Sequence, residues 1–289
     1  MKHIALVGLG VIGGTFAKAI DAHMPNTFKV TAIDKNEETL ARAKEDGVIQ
    51  HGEVTNQTIL QDADLVIISL YPKVLKTFLE THAQDFKPGA IVTETSGIKQ
   101  TMLDFIAPHI PSHVDFIFGH PMAGREKQGY NYADAAVFNK ANYLITPTEL
   151  NDRKNIEEFT NFLKSIGFGR VSEVTPLMHD TLIGYTSQLT HAIAVALMNS
   201  DDTSRETYKY VGDSFRDLTR IANINEYLWT ELFLENKEAL LESFDTFEAE
   251  MQRLKTAIQN DEVENMYDIF RQSSERRLAF EKSDSKRKD

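Results

Sequence analysis

The 289-residue chain contains no cysteine. That absence excludes disulfides, thiolate nucleophiles, zinc ribbons and iron–sulfur clusters together, and it agrees with a reducing compartment, so a cytoplasmic location is the expectation. Basic residues are in deficit as well. Thirty-one Lys and Arg against 43 Asp and Glu leave a formal net charge of −12, the wrong sign for a surface that tracks nucleic acid or anionic lipid. No stretch approaches the roughly 18 consecutive apolar residues of a membrane span, and neither an internal repeat nor a low-complexity tract is present. Chemistry must therefore come from His, Ser, Arg, carboxylates or a bound cofactor. With 42% hydrophobic and 26% charged residues, the chain has the profile of a folded globular protein, and its length suggests two domains.

The first twenty residues imitate a signal peptide, with Lys2, an apolar stretch and an Ala17-Lys18-Ala19 triplet. Glycines at 8, 10, 13 and 14 interrupt that stretch, and the residues after it continue the same structural pattern, so no signal peptide is expected. Apolar, β-branched runs at 3–7, 28–33, 65–70, 90–93 and 114–118 alternate with helical periodicity at 11–22, 37–45 and 73–81. Such βαβα alternation predicts an α/β fold, a doubly wound Rossmann-type parallel sheet. A further strand is expected at 142–146 and a helix at 152–166, closed by Gly167 and Gly169. Beyond Val174 nearly everything reads as helix, and Thr175-Pro176 is a good helix opening. The expected division is thus 1–174, a nucleotide-binding domain, and 175–289, an all-helical domain. Within the latter, 182–197 reads as a central helix buried all round, and Phe244, Phe247, Met251, Leu254 and Ile258 form a narrow seam suited to packing on another helix. Asp261 with Glu264 reads as the cap of a last helix, and 281–289 as a frayed tail.

Gly8-Leu9-Gly10-Val11-Ile12-Gly13 follows the first strand and opens the first helix. Gly8 permits a tight turn, Gly10 a close approach to pyrophosphate and Gly13 close helix–strand packing, while the helix start offers amides to phosphate. Asp34 stands 21 residues after Gly13 at the end of the second strand, where a carboxylate accepts from ribose hydroxyls and repels a 2′-phosphate. The cofactor read from this pattern is NAD. The alternative makes Asp34 a cap for the next helix, and Lys35 leaves room for dual cofactor use.

Of nine histidines, His3, His23, His51 and His82 read as surface or strand residues. His120 lies just past the fifth strand in Phe118-Gly119-His120-Pro121-Met122-Ala123-Gly124, at the sheet edge where open α/β folds bind ligands. His191 follows Ser187 by four residues, so the two share a helix face; a substrate contact and a satisfied core histidine both stay open. Arg216 and Arg220 are also four apart, a spacing that presents two guanidiniums to a dicarboxylate or, alternatively, builds an ion-pair network with Asp213 and Asp217.

Five segments carry a family resemblance: the 8–14 loop, Gly119-His120-Pro121-Met122-Ala123-Gly124 with Glu126 and Gly129, His179-Asp180, Leu189-Thr190-His191-Ala192, and Phe215-Arg216-Asp217-Leu218-Thr219-Arg220-Ile221-Ala222. Over nearly its whole length the chain resembles the prephenate/arogenate dehydrogenases of tyrosine biosynthesis. The resemblance implies NAD-dependent oxidative decarboxylation of prephenate, or of arogenate, with His120 on the C4 hydroxyl, His191 holding substrate, Arg220 binding a carboxylate, and a homodimer built by the helical domain. Two departures stand out. The family often has Gly-Ser-Val-Lys where this chain has Ser96-Gly97-Ile98-Lys99, so Gly97 takes the position of the serine that orients the catalytic histidine, and Ser96 is carried as a catalytic candidate one residue early. Many relatives have histidine where Gln188 stands. Two other readings compete: a β-hydroxyacid dehydrogenase, whose helical-domain lysine finds no match here, and a non-catalytic NADH-sensing regulator, which needs only the glycine loop and Asp34.

Overall fold

The computed structural model describes residues 1–124 and 127–285. Glu126 lies outside them. By compactness the chain falls into two units, 1–237 and 238–289.

The first unit is built on one eight-stranded sheet. In chain order its elements are β1 (His3–Val7), α1 (Val11–His23), β2 (Lys29–Ile33), α2 (Glu37–Glu45), β3 (His51–Glu53), α3 (Ile59–Asp62), β4 (Leu65–Ile68), α4 (Pro72–His82), β5 (Ile91–Glu94), α5 (Gln100–Ile106), β6 (Asp115–Pro121), β7 (Asn142–Thr146), α6 (Arg153–Ser165) and β8 (Arg170–Glu173). Helices α7 (Pro176–Ile183), α8 (Thr190–Asn199), α9 (Asp213–Thr219) and α10 (Glu226–Glu235) come next. The strand order is β3-β2-β1-β4-β5-β6-β7-β8. Strands β1 to β6 run parallel, β7 lies antiparallel to β6, and β8 parallel to β7. One face packs Phe16 and Ile20 of α1 with Phe159 and Phe162 of α6; the other packs Leu75 and Leu79 of α4 with Met102 and Ile106 of α5. Burial on both faces explains why β1, β4 and β5 are uninterrupted runs of buried residues.

The sheet is therefore doubly wound, as the alternation predicted, with two strands beyond those expected. β3 and β8 are its two edges, and an edge strand is short and polar because one side of it meets water, which erases the apolar signal. Thr175 caps α7 by accepting from the Met178 amide at 3.2 Å, and Asp152 caps α6 by accepting from the Lys154 amide at 2.8 Å.

The helix expected over 182–197 is different in kind. A π-helical turn, Gly184–Leu189, separates α7 from α8, and the stretch is not buried all round: Tyr185 is 60% exposed and Leu182 38%. The wider turn shifts the helical register by one residue, and it carries Ser187 with it.

The second unit contains the remainder of α11 (Lys237–Gln259) and all of α12 (Val263–Ser285). Asp261 does not cap α12. It takes the left-handed conformation, φ +55°, and ends α11: the Glu262 amide donates to the Ala257 carbonyl and the Asp261 amide to that of Ile258, the paired bonds of a Schellman stop. Of the expected tail, 281–285 form the end of α12, and 286–289 lie outside the described residues. No helix among the described residues is long and apolar enough to cross a membrane.

Candidate active site

The glycine loop spans the gap between β1 and α1. Gly8 sits at φ +85°, a conformation that disfavours any side chain, and its amide donates to the Ile33 carbonyl at 2.8 Å, tying the loop to the end of β2. A Cβ on Gly13 would overlap the Gly8 carbonyl oxygen, so the close helix–strand contact requires glycine there. At Gly10 the same construction meets open space. Val11 and Ile12 begin α1, whose first-turn amides have no upstream carbonyl to reach and whose dipole favours an anion. One oxygen of Asp34 accepts from the Leu9 amide at 2.7 Å and the other from the Asn36 amide at 2.8 Å. Each keeps a second lone pair for a ribose hydroxyl. The capping alternative for Asp34 falls to Asn36, whose side chain accepts from the Thr39 amide. A helix start with open space at Gly10 and a carboxylate beside it fits a dinucleotide.

At the far ends of β5 and β6 the chain buries a set of charges. Lys99 and Glu94 are both fully buried, with Nζ 2.9 Å from Oε1. Lys99 Nζ also donates to the carbonyls of Ser96 and Ile98 at 2.7 and 3.1 Å, while Glu94 accepts from the amides of Ser96 and Gly119 at 2.6 and 3.2 Å. The pair thus staples the 95–99 loop to two strands. Burial pushes Glu94 up and Lys99 down from their ordinary pKa values, each against the pull of its partner.

His120 lies in β6, beside this pair and half-buried. Its Nδ1 is 2.9 Å from His179 Nε2, and His179 Nδ1 is 2.7 Å from Asp180 Oδ1. Asp180 also accepts from the amides of Lys99 and Gln100 at 2.8 and 2.7 Å. Burial, reinforced by the charges of His179 and Lys99, holds the His120 pKa well below the usual histidine value. Burial likewise lowers His179 to about 4, with Lys99 adding to it and Asp180 opposing. The other ring nitrogen of His120, Nε2, would lie 3.6 Å from a Cβ on Gly97. The neighbour of His120 is therefore Gly97, whereas the Ser96 hydroxyl accepts from the Ile98 amide at 3.4 Å.

On the helical side, His191 Nδ1 donates to the Ser187 carbonyl at 2.8 Å, so the expected shared face is present and is bonded through the backbone. The His191 ring packs against Trp229, centroids 3.8 Å apart and planes tilted by 31°. Trp229 and Leu232 are three residues apart on α10, about 4.5 Å along its axis, and a Leu232 methyl comes within 3.5 Å of a Cβ on Gly97. One face of α10 thus joins the His191 and His120 sides. Arg216 is exposed and donates to the Val211 carbonyl at 3.5 Å. Arg220, also exposed, ends α9 and begins a short 3-10 turn; the two guanidiniums are not one continuous helical pair. Gln188 is buried, donating to the Leu232 carbonyl at 2.9 Å and accepting from Asn236 at 2.8 Å.

Residues 16–172 match the family model described as the prephenate dehydrogenase nucleotide-binding domain, and residues 175–272 that of the prephenate dehydrogenase dimerization domain. The chain belongs to the prephenate dehydrogenase family. It is 30% identical over 279 residues to the prephenate dehydrogenase of Bacillus subtilis strain 168, which takes in 95% of this chain and 75% of that one. To the cyclohexadienyl dehydrogenase of Zymomonas mobilis it is 30% identical over 284 residues, 96% of each. The crystal structure of Aquifex aeolicus prephenate dehydrogenase in complex with hydroxyphenyl propionate and NAD+ superposes with a TM-score of 0.86 at 26% identity, over 97% of this chain and 98% of that one.

Within this prephenate dehydrogenase fold, sequence reasoning noticed His179-Asp180 only as matching residues, and it missed Glu94 and Trp229 altogether. The one tryptophan of the chain was the available signal for the last. Protonation gives a first test. The unfolded chain protonates a histidine near pH 6.5 and the fold admits the proton on His179 only near pH 4. Between these values the unfolded state binds more protons, so stability is full above pH 6.5 and is lost as pH falls, by on the order of 3 kcal/mol from this group. Urea midpoints should drop between about pH 7 and about pH 4.5; a constant midpoint contradicts the neutral buried histidine.

Proposed function

We propose that this chain oxidises and decarboxylates prephenate to 4-hydroxyphenylpyruvate with NAD. The observation that carries the reading is the place of His120, at the carboxyl edge of a sheet that also carries the glycine loop, its outer nitrogen turned toward Gly97 and its pKa held low by burial. NAD, when bound, supplies the acceptor for the two electrons that leave C4 as hydride. His120 takes the C4 hydroxyl proton as that carbon is oxidised. The bond from the ring to its carboxylate then breaks, carbon dioxide departs, and its electron pair enters the ring, which becomes aromatic and recovers the proton at the phenol oxygen. Aromatisation supplies the drive, so the chain's task is positioning and electrostatics. Asp34 supports NAD over NADP, since a 2′-phosphate would meet its carboxylate.

Arg220 binds a substrate carboxylate and His191, held on Trp229, steadies the substrate beside it. Arg216 and the Ser187 carbonyl are secondary supports at the same end. Arg220→Ala raises the substrate KM roughly 10- to 100-fold, the worth of a charged hydrogen-bonded pair, with a smaller effect on kcat; steady-state kinetics read this, and an unchanged KM removes Arg220 from the role. Ser96 retains a supporting role through the loop it shapes.

The functional division stays at Val174, with 175–289 providing the substrate end and a homodimer surface. Leu177 on α7 is 67% exposed and the Met251–Ile258 part of the α11 seam remains open, faces that a second copy would cover. The absence of cysteine supports a cytoplasmic site of action. Arogenate, with an amino group where prephenate has a keto group, is the competing substrate, and the names of the relatives span both narrower and broader substrate descriptions. Comparing kcat/KM for prephenate and arogenate, with NAD and NADP each, tests the proposal: prephenate with NAD should give the highest value, and a preference for arogenate or NADP overturns that part of it.

A further inference from the structure

We infer that His179 and Asp180 are positioning residues for the reaction: together they fix His120 in the tautomer whose Nε2 carries no proton and faces the substrate side. The inference rests on the reading of His120 as proton acceptor.

Hydrogen-bond parity decides the tautomer. A neutral imidazole has one donor nitrogen and one acceptor. Both oxygens of Asp180 already accept backbone amides, those of Lys99 and Gln100, so the carboxylate meets His179 as an acceptor and His179 Nδ1 must donate across the 2.7 Å contact. His179 Nε2 is then a lone pair. Facing it at 2.9 Å, His120 Nδ1 has to donate; the opposite tautomer would set two lone pairs against each other. The single proton of His120 is thereby committed inward, and Nε2 is left bare toward Gly97, which offers it no side-chain donor.

The charged neighbours act in the same sense. Facing the two rings are Lys99 and Glu94 from β5 and its loop, and Asp180 from α7, while α10 presents Leu232 at Gly97. Buried Lys99 opposes protonation of either ring, which favours the neutral form from which the parity argument starts. When His120 takes a proton in turnover, the new charge is transmitted through His179 to Asp180, which steadies it without itself giving up or gaining a proton.

Histidine nitrogen NMR on the ligand-free full-length protein reads this without turnover, the His120 signals being assigned by their loss in His120→Asn. The expected spectrum shows His120 with Nδ1 protonated and Nε2 bare; a protonated Nε2 overturns the inference. In His179→Phe, which removes the acceptor, both tautomers should appear and kcat should fall on the order of 100-fold with NAD affinity retained. His179→Gln can still accept from His120 and donate to Asp180, so it should restore the single tautomer and keep kcat within roughly tenfold of the parent. Equal losses in the Phe and Gln variants with the tautomer unchanged reduce His179 to a packing residue and overturn the proposal. Should prephenate not turn over at all, the functional reading fails while the tautomer result stands on its own; should prephenate turn over with Nε2 protonated in the resting protein, the inference alone fails.

Discussion

His120→Asn should lower kcat by roughly two to four decades, the usual range for loss of a general base, and leave NAD affinity close to that of the parent. Asparagine is close in size and its amide can still donate to His179, so the end of β6 should keep its shape. What it lacks is a basic nitrogen. Proton transfer from the C4 hydroxyl would then depend on water in a site where His120 is itself half-buried. The residues proposed to hold NAD, Gly8, Gly10, Gly13 and Asp34, lie on the β1 and β2 side of the sheet, and none of them touches the substitution. Steady-state kinetics with a separate fluorescence titration of NADH divide the two effects. Turnover near the parental rate would remove His120 from the role of base.

The second large effect concerns stability. Lys99→Met should destabilise the fold by about 3–5 kcal/mol, because it strands a buried carboxylate. Glu94 keeps its two amide donors but loses the only cation that meets it in the described residues at 2.9 Å, and the carbonyls of Ser96 and Ile98 lose a donor. Glu94 already has a pKa pushed up by burial; without Lys99 it rises further. The variant therefore recovers stability as pH falls and Glu94 takes up a proton, the reverse of the parent's acid response through His179. Adding Glu94→Gln removes the stranded charge, so the double variant should be more stable than Lys99→Met alone. Thermal melting near neutral pH reads all three proteins, and a double variant no more stable than the single one contradicts an ion pair as the source.

Patterns confined to one segment were legible in the sequence. The central strands declare themselves because both faces are buried, and the glycine loop because Gly8 and Gly13 answer two steric demands within six residues. Two kinds of feature were not. Edge strands β3 and β8 carry polar residues because half of each meets water. Pairings between distant segments leave no local trace: His120 and His179 are 59 residues apart, and nothing at either position announces the other. The same holds for Trp229 on His191. At Gly97 the sequence departed from the family pattern, and the structure gives that departure a place, since the missing side chain is the one that would have faced His120 Nε2. Gln188, which stood out as another departure, is buried and bonded to Leu232 and Asn236, so its effect on the site passes through α10. Asp261 shows how a local signature misleads: an acidic residue three before Glu264 looks like a cap, yet the left-handed turn that stops α11 claims it first.

The deciding measurement is the near-ultraviolet absorbance of NADH after NAD and prephenate are added to the purified protein, taken together with released carbon dioxide. The assignment of His120 and the glycine loop to this reaction predicts growth of NADH with one carbon dioxide per NADH, and in His120→Asn a growth slower by roughly two to four decades. Binding of NAD with no growth on either prephenate or arogenate would contradict it and leave a dinucleotide-binding protein without this chemistry.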